Sequence, residues 1–258
     1  MTELLRRGAR IVSTAFCFAC FGVGGVVLGG IVFPALGWFV RNAEHRASAA
    51  RRVITWAFRG FVGVMQALRL LRCEWHGLER LRGRGLLILA NHPSLIDVVL
   101  LMGRVRHADC IVKGALARNP FTRGPVTAAG FVFNDSGTGL VDACVKSLAA
   151  GNNLIVFPEG TRTPASGQHS LQRGAARIAL ASGQDITPVR IRCTPAALGK
   201  GVAWYRVPNR TVQFHIEICS PIRVADFVAD NASEALAARR LTDHLTAFFS
   251  SETRRAFP

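Results

Sequence analysis

The residues best suited to chemistry are a histidine and an aspartate within residues 91–97, Asn-His-Pro-Ser-Leu-Ile-Asp. Neutral histidine can take a proton from a hydroxyl near pH 7. Asp97, about one helical turn beyond His92, can accept a hydrogen bond from the other ring nitrogen, as the aspartate of a Ser-His-Asp triad does. We expect His92 to act as the general base while an acceptor hydroxyl attacks an acyl carbon, a reaction that needs no covalent acyl-enzyme.

Two polar segments, one of them containing this pair, each follow directly on a short apolar run. Residues 86–90 lead into His92, and residues 154–157 lead into residues 158–162, Pro-Glu-Gly-Thr-Arg. In an open α/β sheet, ligands bind at the carboxyl ends of the strands, and an unpaired charge at the end of a core strand would be costly. We therefore expect one polar pocket. This context adds weight to the His-x4-Asp spacing, which is weak evidence by itself.

Three groups of the second polar segment have distinct expected roles. Arg162 can bind a phosphate or a carboxylate through its planar guanidinium. Glu159 can orient Arg162, and the backbone around Gly160 is a candidate for stabilising an oxyanion. The alternative for Glu159 and Arg162 is a structural ion pair.

An apolar segment lies near the N-terminus. Residues 11–40 are thirty residues without Asp, Glu, Lys, Arg or His, which exceeds the roughly 20 needed to span a bilayer. Arginines lie on both sides, so the positive-inside rule predicts that both ends are cytoplasmic. The glycines between Gly22 and Gly30 and the helix-breaking Pro34 can let the segment bend or re-enter, and a single tilted span is the alternative.

Residues 53–71 predict an amphipathic helix, with Thr55 and Arg59 on its polar side. We expect this helix to lie at the lipid surface, and packing on protein alone is the alternative. The Gly-x-x-x-Gly spacing of residues 25–29 can let two such helices pack closely.

From Cys73 onwards, short apolar runs alternate with helical stretches and turn residues, a pattern typical of an α/β fold. The predicted strands are 86–90, 110–112, 131–133, 154–157, 186–191 and 212–218. The predicted helices are 95–102, 140–150, 174–182 and 235–249. We expect residues 1–72 to form a membrane-associated helical motif and residues 73–258 to form the catalytic domain.

The formal net charge is +16, and only three of the 32 basic residues are lysine. Such a surface favours anionic partners: nucleic acid, an anionic membrane face, or an acidic substrate or carrier protein. Nucleic acid is disfavoured, because the Arg runs are short and Tyr205 is the only tyrosine. The seven scattered cysteines predict reduced core residues and a reducing, cytoplasmic face. No metal site is indicated and no nucleotide-binding glycine loop is present, so no cofactor is expected.

Three segments resemble, in order and spacing, the motifs of the glycerolipid acyltransferase family, which includes lysophosphatidic acid acyltransferase. Residues 91–97 are similar to its first motif, residues 157–162 to its third, and residues 186–189, Ile-Thr-Pro-Val, to its fourth. The resemblance spans about residues 73–220.

This resemblance implies that His92 and Asp97 form the catalytic dyad. The residues that it implies for acceptor binding and for the shape of the site are Glu159, Gly160, Thr161 and Arg162. It also implies a mixed, largely parallel sheet flanked by helices, and a two-helix membrane motif at the N-terminus. The implied substrates are an acyl carrier protein or coenzyme A thioester as donor and a lyso-lipid as acceptor. From the arginine flanks and the cysteines we expect the catalytic domain on the cytoplasmic face of the inner membrane.

The family's second motif is only partly present. Residues 113–120 and 130–135 fit it, but the Arg expected next is Ser136. In the family this Arg helps to hold the phosphate of the acceptor. The basic residues that can substitute for it are Lys113, Arg118 and Arg123, and we count Lys113 as a substrate-binding residue.

The altered second motif widens the range of acceptors. A specialised lipid, such as an amino-acid lipid or an aryl polyene pigment lipid, is an alternative to a lysophospholipid. A lipid or thioester hydrolase is the alternative from another class, although the chain has no Gly-x-Ser-x-Gly nucleophile elbow.

Overall fold

The protein is seen here in a computed structural model, which describes residues 2–134, 137–164, 169–228 and 233–255. Within these residues the centre is a seven-stranded sheet of order β1-β7-β6-β2-β5-β3-β4. The strands are β1 (Leu71–His76), β2 (Leu87–Ala90), β3 (Ala108–Val112), β4 (Val132–Phe133), β5 (Asn153–Val156), β6 (Ile186–Thr194) and β7 (Val212–Ile218). All neighbours are parallel except β6 and β7, which are antiparallel. The predicted mixed, largely parallel sheet is confirmed.

Strand β1 is the one strand of this sheet that the sequence did not predict. It lies at an edge of the sheet, beside β7. Its side chains alternate, with Leu71 buried and Arg72 exposed, so it lacks the continuous apolar run that marks a strand buried on both faces. The predicted division of the chain between residues 72 and 73 falls inside β1, and the two-domain division stays a prediction.

Nine helices accompany the sheet within the described residues. They are α1 (Thr2–Val27), α2 (Phe33–Phe39), α3 (Ala43–Ala67), α4 (Asp97–Met102), α5 (Ala115–Arg118), α6 (Pro120–Ala129), α7 (Leu140–Ala149), α8 (Gly174–Ser182) and α9 (Glu234–Arg255). One apolar cluster lies between the sheet and α3, α4 and α6, and a second lies between the sheet and α7, α8 and α9. Strand β2 places Ile88 in the first cluster and Leu89 in the second, because successive side chains of a strand point to opposite faces.

Helices α1 and α2 form one continuous stretch, joined by a π-helical turn at Leu28–Val32. This turn lies just before Pro34. Proline has no backbone N–H to donate, and its ring clashes with the carbonyl oxygen of the preceding turn in a regular α-helix. Arg10, near the start of α1, donates to the carbonyl oxygen of Leu70, just beyond the end of α3 (3.4 Å). At the other end, a Cβ added at Gly37 of α2 would lie 3.9 Å from Arg46, near the start of α3. Helix α3 therefore runs antiparallel to α1 and α2, and the three form a helical hairpin.

The segment Leu5–Phe39 is, among the described residues, the one helix long and apolar enough to cross a membrane by length and composition. It has 35 residues, and its most apolar 18-residue window has a mean hydropathy of 2.3 and is only 11% buried. Val12, Phe16 and Ile31 are more than half exposed on its outer face. The sequence prediction of a long apolar helix is confirmed.

Helix α3 buries two polar side chains, Arg51 and Thr55, beside its apolar core residues Ile54 and Met65. The guanidinium of Arg51 is buried, pairs with Asp109 (Nη2 to Oδ2, 3.1 Å) and donates from Nε to the carbonyl oxygen of Ala129 (2.8 Å). Thr55 is also buried, and its hydroxyl donates to the Arg51 carbonyl. Trp56, in contrast, is 68% exposed. Arg51 and Thr55 therefore face protein while Trp56 faces outward, and the placement of this helix at the lipid surface stays a prediction.

Gly25 of α1 and Gly29 of the π-helical turn that follows it lie against α6. A Cβ added at Gly25 would collide with the carbonyl oxygen of Phe121, and one at Gly29 would lie 2.8 Å from the Cα of Gly124. Only glycine permits two backbones to approach so closely. The Gly-x-x-x-Gly spacing thus packs α1 on a helix of the predicted catalytic domain and not on a second membrane helix.

Candidate active site

The carboxyl ends of β2, β5 and β3 meet at one edge of the sheet, because these strands are parallel neighbours. His92 follows β2 by two residues, Glu159 follows β5 by three, and Lys113 follows β3 directly. The two polar segments that the sequence predicted to share a pocket therefore do meet. Strands lie about 4.8 Å apart, so Lys113 is two strands, on the order of 10 Å, from the position of His92.

His92 and Asp97 are directly hydrogen-bonded, with 2.9 Å between Nδ1 and Oδ2. Asp97 is the first residue of α4 and its side chain is fully buried, whereas the His92 side chain is 15% exposed. The Phe157 ring packs against the imidazole, with 4.3 Å between ring centroids. The imidazole is thus held by a carboxylate and an aromatic ring, and no described residue hydrogen-bonds its Nε2 atom.

The carboxyl group of Asp97 accepts two further hydrogen bonds, both from Ser94. The Ser94 amide donates to Oδ2 (2.7 Å) and its hydroxyl donates to Oδ1 (2.8 Å). Burial raises the pKa of Asp97, and the hydrogen bonds and charge of His92 and the two bonds from Ser94 oppose that rise. A carboxylate that accepts three donors favours the tautomer with the His92 proton on Nδ1, which leaves the Nε2 lone pair free to accept a proton.

Glu159 is buried and contacts the backbone of His92. Its Oε1 atom accepts from the His92 amide (3.2 Å) and the Thr163 hydroxyl (2.7 Å), and lies 3.3 Å from His169 Nδ1. Burial raises the pKa of Glu159, but the hydrogen bonds from His169, Thr163 and the His92 backbone and the charge of His169 outweigh it, so the pKa lies below its usual value. Glu159 is therefore a charged anchor for the segment that carries His92.

Gly160 has a left-handed backbone, with a φ of 64°, which glycine adopts at no steric cost. A Cβ at this position would lie 2.8 Å from Nε2 of Gln172. The Gly160 amide donates to the Phe157 carbonyl oxygen (3.0 Å), so it is not the oxyanion donor that we expected around this residue. The amides of Thr161 and Arg162 have no acceptor among the described residues, and they are the donors of this turn that an oxyanion can use.

Arg162 is held by the backbone of the segment between β6 and β7. Its Nη1 atom donates to the carbonyl oxygens of Leu198 (2.9 Å) and Gly199 (2.8 Å). Within the described residues Arg162 makes no ion pair with Glu159, so the structural ion pair that was the alternative is not formed. The Nε and Nη2 atoms of the half-buried guanidinium have no hydrogen-bond partner in the described part of the chain, and they can bind an anionic substrate group.

Residues 72–192 match the family model described as Acyltransferase. The chain is 29% identical over 186 residues to the 1-acyl-sn-glycerol-3-phosphate acyltransferase of Saccharomyces cerevisiae. This match covers 68% of this chain and 60% of that protein. It is 23% identical over 167 residues to the enzyme of the same name from Pseudomonas aeruginosa, covering 61% and 64%. Over this part of its length the chain is therefore similar to the glycerolipid acyltransferases.

The fold of this chain is also that of a solved structure. The crystal structure of the 1-acyl-sn-glycerophosphate acyltransferase PlsC from Thermotoga maritima superposes with a TM-score of 0.68 and covers 98% of both chains at 20% identity. The matches to the curated relatives span between 35% and 64% of their lengths.

The candidate site contains three polar residues that sequence reasoning did not single out: Ser94, Thr163 and His169. The Thr163 amide donates to the His92 carbonyl oxygen (2.8 Å), and its hydroxyl accepts from the His92 amide (3.3 Å). Ser94 lies inside the first motif and Thr163 directly follows the third, so both were visible as polar residues beside a predicted site. His169 is ten residues from Glu159, and no spacing rule connects them.

The acyltransferase's second motif is only partly within the described residues. Lys113 is exposed at the predicted edge of the sheet, and Arg118 and Arg123 are exposed on α5 and α6. Asp135 and Ser136 lie outside the described residues. The role of Lys113 in binding substrate therefore stays a prediction.

Proposed function

We propose that this protein is a membrane-bound O-acyltransferase that moves an acyl group from a thioester to a hydroxyl of a lysophospholipid-like acceptor. The observation that carries the proposal is the hydrogen bond between His92 Nδ1 and buried Asp97, which leaves Nε2 free at the carboxyl edge of the sheet. The match of residues 72–192 to the Acyltransferase family model supports the reaction type, and the relatives named above are 1-acyl-sn-glycerol-3-phosphate acyltransferases.

His92 Nε2 removes the proton of the acceptor hydroxyl as its oxygen attacks the thioester carbonyl carbon. The new C–O bond gives a tetrahedral oxyanion, which the amides of Thr161 and Arg162 are placed to stabilise. The oxyanion collapses, the C–S bond breaks, and the leaving thiolate takes the proton from His92. Asp97 stabilises the imidazolium between the two proton transfers, so no serine nucleophile and no acyl-enzyme are involved.

Arg162 and Lys113 are the groups that we assign to the anionic part of the acceptor. The free Nε and Nη2 atoms of Arg162 form a planar pair of donors, a geometry suited to phosphate or carboxylate oxygens. Lys113 adds a positive charge at the same edge of the sheet. Glu159 supports the site indirectly, because its carboxylate holds the His92 amide and the Thr163 hydroxyl.

The donor is an acyl thioester of acyl carrier protein or coenzyme A, both of which are anionic. A net charge of +16 supports an anionic donor, because a positive surface accelerates association with a negative partner. No cofactor or metal is needed for the steps above.

The membrane attachment that we propose uses the segment Leu5–Phe39, which is long enough to enter or cross a bilayer. Arg6, Arg7 and Arg10 precede its apolar part, and Arg41 and Arg46 follow it. By the positive-inside rule these flanks favour the inner membrane with the catalytic domain on the cytoplasmic face.

The acceptor is a lysophospholipid in the first proposal and a specialised lipid in the second. The observation that favours the second is Ser136, which stands where the family has a phosphate-binding Arg. An amino-acid lipid presents a carboxylate, and Arg162 can bind a carboxylate as well as a phosphate.

One experiment tests donor and acceptor together. The detergent-solubilised protein is incubated with acyl carrier protein and coenzyme A thioesters and with lysophosphatidate, other lyso-lipids and amino-acid lipids, and the products are identified by mass spectrometry. We expect an esterified acceptor with the natural chain and none with His92→Ala, while His76→Ala, at an exposed histidine remote from the dyad, keeps full activity. Release of free fatty acid without an acylated acceptor would identify a hydrolase instead.

A further inference from the structure

The loop between β6 and β7, residues 195–211, carries exposed apolar side chains. Val202 is 43% exposed, Trp204 44% and Tyr205 54%. Aromatic residues of this size usually bury most of their surface in a soluble protein. Their clustering within four residues of one loop indicates a surface made to contact something apolar.

The same loop is strongly basic. Lys200, Arg206 and Arg210 are exposed, and no acidic residue occurs from residue 186 to residue 216. Within the described residues none of these three side chains has an acidic partner. Trp and Tyr combined with Lys and Arg is the composition found at the boundary between a membrane and water, where the rings lie at headgroup depth and the cations meet anionic lipids.

The loop's apolar surface is continuous with that of helix α1. The Trp204 ring lies 5.8 Å from the Phe18 ring of α1 and 5.8 Å from the Tyr205 ring, centroid to centroid. Arg10 of α1 donates to the carbonyl oxygens of Pro208 (2.8 Å) and Arg210 (2.9 Å). The loop is therefore fastened along α1, and its aromatic side chains extend the apolar surface of that helix.

We propose that the 195–211 loop is a second membrane contact, in which Trp204 and Tyr205 enter the lipid–water boundary and the loop's three cations bind anionic headgroups. This inference rests on the membrane attachment proposed above, since α1 brings the loop to the bilayer. It adds a bilayer contact on the side of the protein opposite to α7, α8 and α9.

This contact is coupled to the active site through the backbone of the loop. The Leu198 carbonyl oxygen accepts from the Leu95 amide (3.1 Å) and from Arg162 (2.9 Å), and the Gly199 carbonyl oxygen accepts from Arg162 (2.8 Å). Leu95 lies between His92 and Asp97 in the chain. A loop seated on the bilayer therefore places Arg162 at the lipid surface, where the headgroup of a lipid acceptor arrives.

The test uses tryptophan fluorescence of the full-length chain in vesicles of phosphatidylcholine and phosphatidylglycerol with brominated acyl chains, which quench nearby tryptophans. One variant retains Trp204 alone, a second retains the exposed Trp38 of α2 and a third retains Trp75 of β1, with Phe at the other tryptophan positions. We expect strong quenching of Trp204 and Trp38 and little quenching of Trp75, which is half-buried beside Arg104.

The three variants separate the two proposals. Quenching of Trp38 without quenching of Trp204 would overturn the loop contact and leave the α1 attachment standing. Absence of quenching at both positions would overturn the attachment and the loop contact together. If the triple substitutions prevent folding, the difference in quenching between the natural chain and Trp204→Phe gives the contribution of Trp204 directly, and no difference refutes the proposal.

The role of charge is tested in the chain that retains Trp204. Lys200→Glu with Arg206→Glu should reduce Trp204 quenching to the Trp75 level in vesicles that contain phosphatidylglycerol. The matched control, Arg177→Glu with Arg240→Glu on α8 and α9, makes the same change in net charge and should leave the quenching unaltered. Equal effects of the two pairs would show that only net charge matters, and would overturn a specific contact by this loop.

Discussion

The hydrogen bonds of Asp97 predict an unusual result for its replacement by asparagine. In a Ser-His-Asp triad, the asparagine amide can select the wrong histidine tautomer, which costs about 10⁴-fold in rate. Here the Ser94 amide lies 2.7 Å from the same Asp97 oxygen that bonds to His92. Because that amide is a donor, the new side chain must place its own oxygen there. Asp97→Asn therefore keeps the His92 proton on Nδ1 and loses only the negative charge.

The size of the loss follows from that charge. Two unit charges about 4 Å apart attract by about 4 kcal/mol at an effective dielectric constant of 20, and the neutral amide still accepts one hydrogen bond from the imidazolium. A net loss of about 2–4 kcal/mol in transition-state stabilisation corresponds to a roughly 30- to 900-fold lower rate. Asp97→Ala also loses the orientation of the ring, so its loss should exceed that of Asp97→Asn by at least about tenfold.

The assay measures initial rates of thiol release from the thioester donor that the product screen identifies. Asp142→Asn, at an exposed aspartate of α7, is the isosteric control and should leave the rate unchanged. Circular dichroism verifies that each variant is folded. Equal rates for Asp97→Asn and Asp97→Ala would refute the assigned role of the Ser94 amide, and a rate within about threefold of the natural chain would refute the role of the Asp97 charge.

Three other predictions concern stability in detergent. Asp109→Ala leaves Arg51 buried without its carboxylate and should lower the free energy of unfolding by roughly 3–5 kcal/mol in urea titrations; an unchanged midpoint would contradict the buried pair. The pKa of Glu159 lies below its usual 4.5, so its charge stabilises the fold above about pH 4.5 and that contribution is lost as the pH falls. The difference in Tm between the natural chain and Glu159→Gln should shrink below that pH, and a constant difference would disprove the sign. Gly29→Leu should lower Tm by forcing α1 away from α6, whereas Gly30→Leu, where a Cβ would have no neighbour within 4 Å, should not; equal shifts would rule out close packing as the cause.

Much of the fold could be predicted because burial leaves a local signature. Strands buried on both faces, such as β2 and β5, appear as continuous apolar runs, and the six strands predicted from such runs are present. Strand β1 could not be found in this way, because one strand edge and alternate side chains face solvent. The burial of Arg51 and Thr55 on α3 could not be predicted either, because Arg51 finds its partners, Asp109 and the Ala129 carbonyl, on other elements and Thr55 bonds back to Arg51.

The dyad was accessible to sequence reasoning because His92 and Asp97 lie five residues apart, where a strand end and the first turn of a helix set their geometry. The position of Glu159 could not be predicted from the sequence. It reaches the His92 amide from 67 residues away, and that contact depends on the parallel register of β2 and β5, in which Leu87 faces Leu154.

The sequence by itself determined the α/β class, the long apolar helix, the histidine–aspartate pair and the strand ends that hold it. Each of these depends on neighbours within a few residues, so the pattern of residue types is enough. Only the tertiary structure decided that Glu159 anchors the backbone of His92, that Arg162 is held by the 195–211 loop, and that this loop continues the apolar surface of α1. These contacts join segments far apart in the chain, and strand register and helix packing, which no local periodicity encodes, bring them together.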